Sequence, residues 1–298
     1  MEKIKCSLCQ SEDVTYIPNK IRNDTEGIYK MFKCGCCETH FLYPRPAREA
    51  LEKYYDGDFR EEVHSESYYD YTSLDKVFQN FLPEAKTRLK RVVKEIDSRD
   101  DILEIGCSVG YFLSTVADYV HMACGTEWDR KAQAYIRDCI EKPNIKVSDN
   151  PEDFNQQFDK IFMFHVLEHI EEPVSFLENL KNILKPNGII YIEVPNVDDV
   201  LVKTYACDAF KDFYYKKAHL YNFNETGLSY IFEHAGYQYH IDFIQRYDLS
   251  NHLYWLGKGL PGGRGMYAEV LGDDTNEAYI RALKEKKQTD TLFAKVWL

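Results

Sequence analysis

Three sets of residues in this chain have the types and spacing to do chemistry. Cys6-Ser7-Leu8-Cys9 and Cys34-Gly35-Cys36-Cys37 are two C-x-x-C knuckles with 24 residues between them. Each knuckle offers two thiolates from one tight turn, and a tetrahedral Zn²⁺ takes four. Cys6, Cys9, Cys34 and Cys37 are the expected ligands, structural because four cysteines leave no open position; the alternative is a set of free buried thiols. The second set is a small-residue turn, Gly106-Cys107-Ser108-Val109-Gly110, with Glu104 just before it and a further acid, Glu127, 17 residues beyond Gly110. The third is three histidines, His165, His169 and His219, proton acceptors suited to neutral pH. A polar-aromatic run, Ser67-Tyr68-Tyr69-Asp70-Tyr71, either faces a bound ring with Tyr68 and Tyr71 or is an ordinary surface turn.

The elements that must position these groups follow from periodicity. Ile102, Leu103 and Ile105 form a short apolar strand, and Tyr111, Phe112, Leu113, Val116, Ala117 and Val120 then recur at helical spacing. Strand, tight turn and helix open a doubly wound α/β domain, whose ligand lies beyond the carboxyl ends of the strands. Further strands are expected at 122–128, 145–147, 158–164 and 189–194, the first ending at Glu127-Trp128 and the third at Phe164-His165. Pro173 opens a helix as its first residue, with Leu184 on its apolar stripe and Lys185 to Gly188 stopping it. A helix over 74–96 is expected to be interrupted at Pro83.

The glycine spacing is not the G-x-G-x-x-G of dinucleotide folds. Glu104 to Gly110 instead resembles the first motif of the class I S-adenosylmethionine (SAM) methyltransferases, E-x-G-x-G-x-G, with Ser108 in place of the middle glycine. The resemblance spans about 101–194 and includes L-E-H-x-x-x-P (Leu167 to Pro173) and L-K-P-x-G (Leu184 to Gly188). It implies SAM as cofactor, a seven-stranded Rossmann-like sheet, and a cofactor site at Glu104, Gly106, Ser108, Gly110, Glu127, Trp128, Asp149, Phe164 and His165. Within it Glu127 would accept the ribose hydroxyls, Trp128 would lie on the adenine, and Asp149 or Asn150 would meet the adenine's edge.

The paired knuckles, Pro44-Arg45-Pro46 and the segment His219-Leu220-Tyr221-Asn222-Phe223 resemble a subgroup that includes nucleotide-sugar C-methyltransferases with a zinc module. In that subgroup an acid precedes the histidine; here Ala218 stands there, which points to O-methylation of a sugar or sugar nucleotide. His219 is the expected base, His165 points into the crevice, and His169 packs at the head of its helix. The alternatives are C-methylation, a quinone or RNA acceptor, a divalent ion at His165, Glu168 and His169, or a non-catalytic scaffold.

At 298 residues and a formal charge of −12, with 37 basic against 49 acidic residues, the chain repels nucleic acid unless a basic patch is segregated, and no basic block is present. The sequence shows no signal peptide and no apolar run of membrane-spanning length, and nine cysteines then suggest reduced thiols or metal in the cytoplasm. The expected organisation is a zinc-binding module at 1–46, a helical linker or cap at 47–99, and a SAM-binding domain at 100–298. That last domain would carry a lid insertion at about 195–218 and a C-terminal loop and helix at about 257–290. Its partner would be a small-molecule acceptor.

Overall fold

The computed structural model describes residues 3–46 and 73–298. Tyr68, Tyr69 and Tyr71 lie outside the described residues, as does the 47–72 part of the expected linker. In chain order the strands and helices are β1 (Val14–Ile17), β2 (Lys30–Cys34), β3 (His40–Tyr43), α1 (Leu74–Val92), β4 (Asp101–Ile105), α2 (Tyr111–Val116), β5 (Met122–Thr126), α3 (Arg130–Cys139) and β6 (Ile145–Ser148). There follow β7 (Phe158–Phe164), α4 (Pro173–Leu180), β8 (Leu184–Pro195), α5 (Val200–Lys203), α6 (Asp208–Tyr214), β9 (Tyr221–Asn222), α7 (Glu225–His234), β10 (Gln238–Ile244), α8 (Leu249–Lys258), α9 (Ala268–Glu285) and β11 (Thr291–Trp297).

The large sheet is α/β and has seven strands in the order β10-β11-β8-β7-β4-β5-β6. Alternation of β-strands and helices over 101–195 makes the pairs β4–β7, β4–β5 and β5–β6 parallel, with Leu103 opposite both Ile161 and Cys124. The chain divides into two compact units. One holds 47–166, 177–191 and 296–298; the other holds 1–46, 167–176 and 192–295.

In the first of these units the middle strands read as near-continuous apolar runs because helices cover both faces. Phe112 meets Phe162 with ring centroids 5.0 Å apart, and Phe162 stacks on Tyr191 at 5.1 Å. α1 begins at Ser73, whose side chain accepts a hydrogen bond from the Lys76 backbone N–H. It runs through Pro83 without interruption. The buried stripe Val77, Ala85, Arg88, Leu89 and Val92 continues on both sides of the proline, and that packing offsets a local cost of about 3 kcal/mol. β8 also begins earlier than expected, at Leu184. The segment 185–188 is therefore strand, not a helix stop.

In the other unit β1, β2 and β3 form an antiparallel meander, and β9 adds to β3 with His40 opposite Asn222 and Phe41 opposite Tyr221. One face of the meander supplies Met31 and Leu42 to a core with Ile21, Val197, Val202, Tyr214 and Tyr215. The segment 195–218 thus contributes α5, α6 and four of these core side chains. α7 is capped by Asn224, whose Oδ1 accepts from Gly227 N at 3.0 Å. Gly227 must lack a side chain, since a Cβ there would run into the Thr39 hydroxyl. No described helix is long and apolar enough to cross a membrane.

Candidate functional site

The turn after β4 bends through left-handed backbone at Gly106 (φ 72°), Ser108 (φ 50°) and Gly110 (φ 76°). Glycine avoids the steric cost at two of these, and at Gly106 a Cβ would also come within 2.8 Å of Val166 Cγ2. The turn is anchored to the end of β5: Gly106 N and Cys107 N both donate to Thr126 O, at 2.9 and 3.0 Å. Glu127 completes the clamp. Its Oε2 accepts from Ser108 N at 2.8 Å and its Oε1 from Asp129 N at 3.0 Å.

Glu104 is 2% exposed, and its Oε2 has no hydrogen-bond partner among the described residues. Burial pushes its carboxyl well above the usual range; the Arg88 charge opposes that shift and Glu127 adds to it. Arg88 was not singled out from the sequence. It is 3% exposed, pairs with Glu84 at 3.0 Å and lies 4.3 Å from the centroid of the Phe164 ring. Its sequence signal is an arginine on the same helical stripe as Ala85, Leu89 and Val92.

Among the other expected cofactor residues, Trp128 is 58% exposed beside the clamp. Phe164 is buried, with its ring 4.8 Å from Phe112. Both oxygens of Asp149 are engaged, by Gln133 Nε2 and Arg130 Nη2, each at 2.6 Å. His165, the residue after β7, is half-buried in left-handed backbone, φ 59°.

In the other unit the four cysteines converge. Cys6 Sγ lies 3.6 Å from Cys37 Sγ, Cys9 Sγ lies 3.5 Å from Cys34 Sγ, and all four sulfurs fall within 4.8 Å of one another. Tetrahedral thiolates around zinc sit about 3.8 Å apart, so the donor set is compatible with that ion. The knuckle also points amides at a thiolate: Cys36 N and Cys37 N reach Cys34 Sγ at 3.3 and 3.5 Å. Burial pushes the Cys34 thiol up to about 11, and the Cys6 contact followed by burial raises Cys37, so these thiols resist ionisation unless a cation compensates. Cys36 is exposed.

The same unit brings His219 and His169 together with Glu168, although 50 residues separate His169 from His219. Their rings meet edge to face, centroids 4.9 Å apart. One donor atom from each of the three residues lies within 4.8 Å of the others. Glu168 is 1% and His219 5% exposed. His169 Nδ1 sits 2.8 Å from Ala218 O, so it carries the proton and leaves Nε2 with the lone pair. His169 is therefore part of the cluster, beyond its expected packing role. Glu168, Leu167 and His169 form one short helical turn after β7. That turn supplies a carboxylate beside His219, where the sequence has Ala218 immediately before it.

A methyltransferase-domain family model matches residues 78–240, more than half of the chain. The chain belongs to this family. The domain is of the SAM-dependent, class I type. It is 26% identical over 99 residues to a probable S-adenosylmethionine-dependent methyltransferase of Mycolicibacterium smegmatis, covering 32% of this chain and 38% of that protein. It is 27% identical over 134 residues to a tRNA U34 carboxymethyltransferase of Campylobacter jejuni, covering 42% of this chain and 45% of that protein. The chain thus spans under half the length of these curated relatives. A solved SAM-dependent methyltransferase from Archaeoglobus fulgidus has the same fold, with TM-score 0.51 and 20% identity over 77% of this chain and 99% of that one.

For a methyltransferase domain, the loop after β4 has the groups SAM needs. The orphaned Glu104 oxygen is a buried acceptor suited to an ammonium, and SAM carries no phosphate that it would repel. The Glu127 carboxylate, held by two backbone N–H groups, is fixed in direction before any ribose hydroxyl arrives.

Proposed function

We propose that the chain is a SAM-dependent methyltransferase that methylates a hydroxyl of a sugar or sugar nucleotide, with His219 as general base. The observation that carries this reading is the Glu168–His169–His219 cluster. Methyl transfer to oxygen is an in-line displacement, and the hydroxyl proton must leave as the new bond forms. When bound, SAM supplies an electrophilic methyl carbon on a sulfonium.

His219 accepts the hydroxyl proton. Glu168 stabilises the imidazolium that results, and His169, its tautomer fixed by Ala218 O, holds the His219 ring edge-on. Ketosugar C-methylation needs an enolising acid–base pair; with Ala218 before His219, the cluster suits simple deprotonation of a hydroxyl. Glu104 takes the cofactor ammonium and Glu127 its ribose hydroxyls, while Gly106 to Gly110 wrap the cofactor with backbone. Trp128, Phe164, Asp149 and His165 border that site. Cys6, Cys9, Cys34 and Cys37 hold a structural Zn²⁺. The acceptor is a small molecule in the cytoplasm, consistent with the formal charge of −12.

The test uses the zinc-replete full chain. SAM and S-adenosylhomocysteine are titrated calorimetrically with NAD and NADH as controls, then methyl incorporation into a sugar-nucleotide panel and into tRNA is followed by mass spectrometry. Micromolar binding of either SAM species, and incorporation into a sugar that His219→Ala lowers at least a hundredfold, are expected. No SAM binding by folded protein refutes the enzyme, and incorporation into tRNA alone refutes the saccharide.

A further inference from the structure

β6 lies at one end of the seven-stranded sheet, so one of its edges pairs with β5 and the other with no described strand. The hydrogen bonds to β5 fix which residues face each way. Ala123 N donates to Asn144 O at 2.9 Å, and Glu127 N donates to Ser148 O at 3.1 Å. Successive residues of a strand turn their peptide groups to alternate sides, so Ile145 and Val147 point theirs outward. Ile145 N donates locally to Lys142 O at 3.2 Å. The Val147 N–H and C=O are taken by no described residue. An open edge of this kind is a template for another strand.

A groove of about 470 Å³ lies beside this edge, within one compact unit of the chain. All four residues of β6 line it, with Ile136 and Ile140 at the end of α3 and Phe154 in the short helical turn Pro151–Phe154. The chain has a formal charge of −12, yet three of the four charged residues lining the groove are cations: Arg137, Lys142 and Lys146. The fourth, Asp153, is engaged by Ser148 Oγ and by Asn150 N, the latter at 3.2 Å. Lys142 pairs with Asp118, and Arg137 gives Nη1 to Gln133 Oε1 at 3.1 Å, leaving the rest of its fork. Lys146 is exposed and makes no ion pair or hydrogen bond among the described residues.

We infer that the open edge of β6 is a docking site for an extended acidic segment of a partner protein, added to the sheet as a further strand. Val147 supplies the main-chain donor and acceptor, which give affinity without sequence preference. Side chains of an added strand alternate between the two faces, so one set covers Ile140, Ile145 and Val147 while acids meet Arg137 and Lys146. Charge decides between occupants. The β6 of a second copy would set the same cations against one another, whereas an acidic strand neutralises them. The inference is independent of the methyl-transfer reading.

The experiment titrates the zinc-replete full chain calorimetrically with a capped hexapeptide alternating valine and glutamate, against one alternating valine and lysine and against citrate. Saturable binding of the glutamate peptide alone is expected, with amide exchange at 145–148 slowed in mass spectrometry of the wild type. Exposed charge pairs contribute modestly, so Arg137→Gln combined with Lys146→Gln should weaken that peptide about tenfold. Val147→Pro deletes the outward N–H of an edge strand, where proline is tolerated, and should abolish binding while the wild-type circular dichroism is kept. No binding of the glutamate peptide, equal binding of the lysine peptide, or binding that leaves exchange at 145–148 unchanged overturns the site. Three other outcomes refute it by naming a different occupant. Citrate binding as tightly as the peptide assigns a small anion. Dimerisation that protects 145–148 without peptide assigns a second copy, and protection by single-stranded RNA but not by peptide assigns nucleic acid.

Discussion

The Ser108 backbone N–H donates to Glu127 Oε2 across 2.8 Å, tying the turn after β4 to the carboxylate that ends the β5 segment. The two halves of the proposed cofactor cradle are therefore tied together before ligand arrives. Glu127→Ala removes acceptors for two backbone amides, Ser108 and Asp129, as well as the proposed ribose contact. Hydrogen bonds to charged groups contribute about 1.5–3 kcal/mol each, so SAM affinity should fall on the order of a hundredfold by calorimetry. Glu127→Gln keeps one acceptor and should lose about tenfold.

Arg88 should matter for stability more than its absence from any motif suggests. Arg88→Met removes an ion-pair partner of Glu84 and the charge that opposes the raised carboxyl of Glu104. Breaking a buried pair by removing one partner costs about 3–5 kcal/mol. Urea unfolding should show a loss of that order, together with weaker SAM binding; an unchanged midpoint would refute the role.

Metal removal should be felt by the N-terminal module. One zinc per chain is expected by elemental analysis, and chelation or Cys34→Ser should lower the melting temperature by several degrees. A metal-free preparation that melts at the same temperature would show that Cys6, Cys9, Cys34 and Cys37 are ordinary buried thiols.

Glu168→Gln should lower kcat ten- to a hundredfold with little change in S-adenosylhomocysteine affinity, because the carboxylate stabilises charge on His219 only as the proton arrives. An unchanged kcat would remove Glu168 from the mechanism.

A pH dependence follows from His252, far from the chemistry in sequence. Burial holds its imidazole down to about 4, with Nδ1 bonded to the Tyr279 hydroxyl at 2.7 Å and Nε2 near Gln245 Nε2 at 3.2 Å. The folded value lies below the ordinary 6.5, so the fold favours the neutral ring. Its contribution is complete above about pH 6.5 and is lost as pH falls toward 4, about 3 kcal/mol in all. His252→Gln should flatten that part of the stability profile, read by chemical unfolding at pH 7 and pH 4.5.

The parts legible in the sequence are those encoded locally. Ile102 to Gly110 combines a strand period, a glycine-bearing turn and a helix period within one short stretch, and the cysteine knuckles are tight turns. Pro83 and Lys185 to Gly188 misled because local breakers were overridden by packing along α1 and by sheet pairing of β8. The Glu168–His169–His219 cluster joins residues distant in sequence, which no period or spacing reports. Arg88 was hidden for a different reason: an arginine on an apolar stripe reads as a surface residue until its burial and its neighbours Glu84 and Glu104 are seen.

The pairing of β9 with β3 carries a thermodynamic obligation. Phe41 opposes Tyr221 four residues beyond Cys37, and Tyr221 is two residues beyond His219. Arg45 reinforces the join, bonding the Tyr221 hydroxyl at 2.5 Å and Ser7 O at 2.9 Å. Order in the cysteine knuckles and order in the histidine segment are thus drawn from one shared reserve of free energy. By reciprocity, whatever metal occupancy does for acceptor affinity, a bound acceptor must do in equal measure for metal retention. With zinc bound as proposed, a chain saturated with acceptor should show a higher zinc affinity in a chelator competition than the same chain idle, making zinc affinity a gauge of acceptor binding.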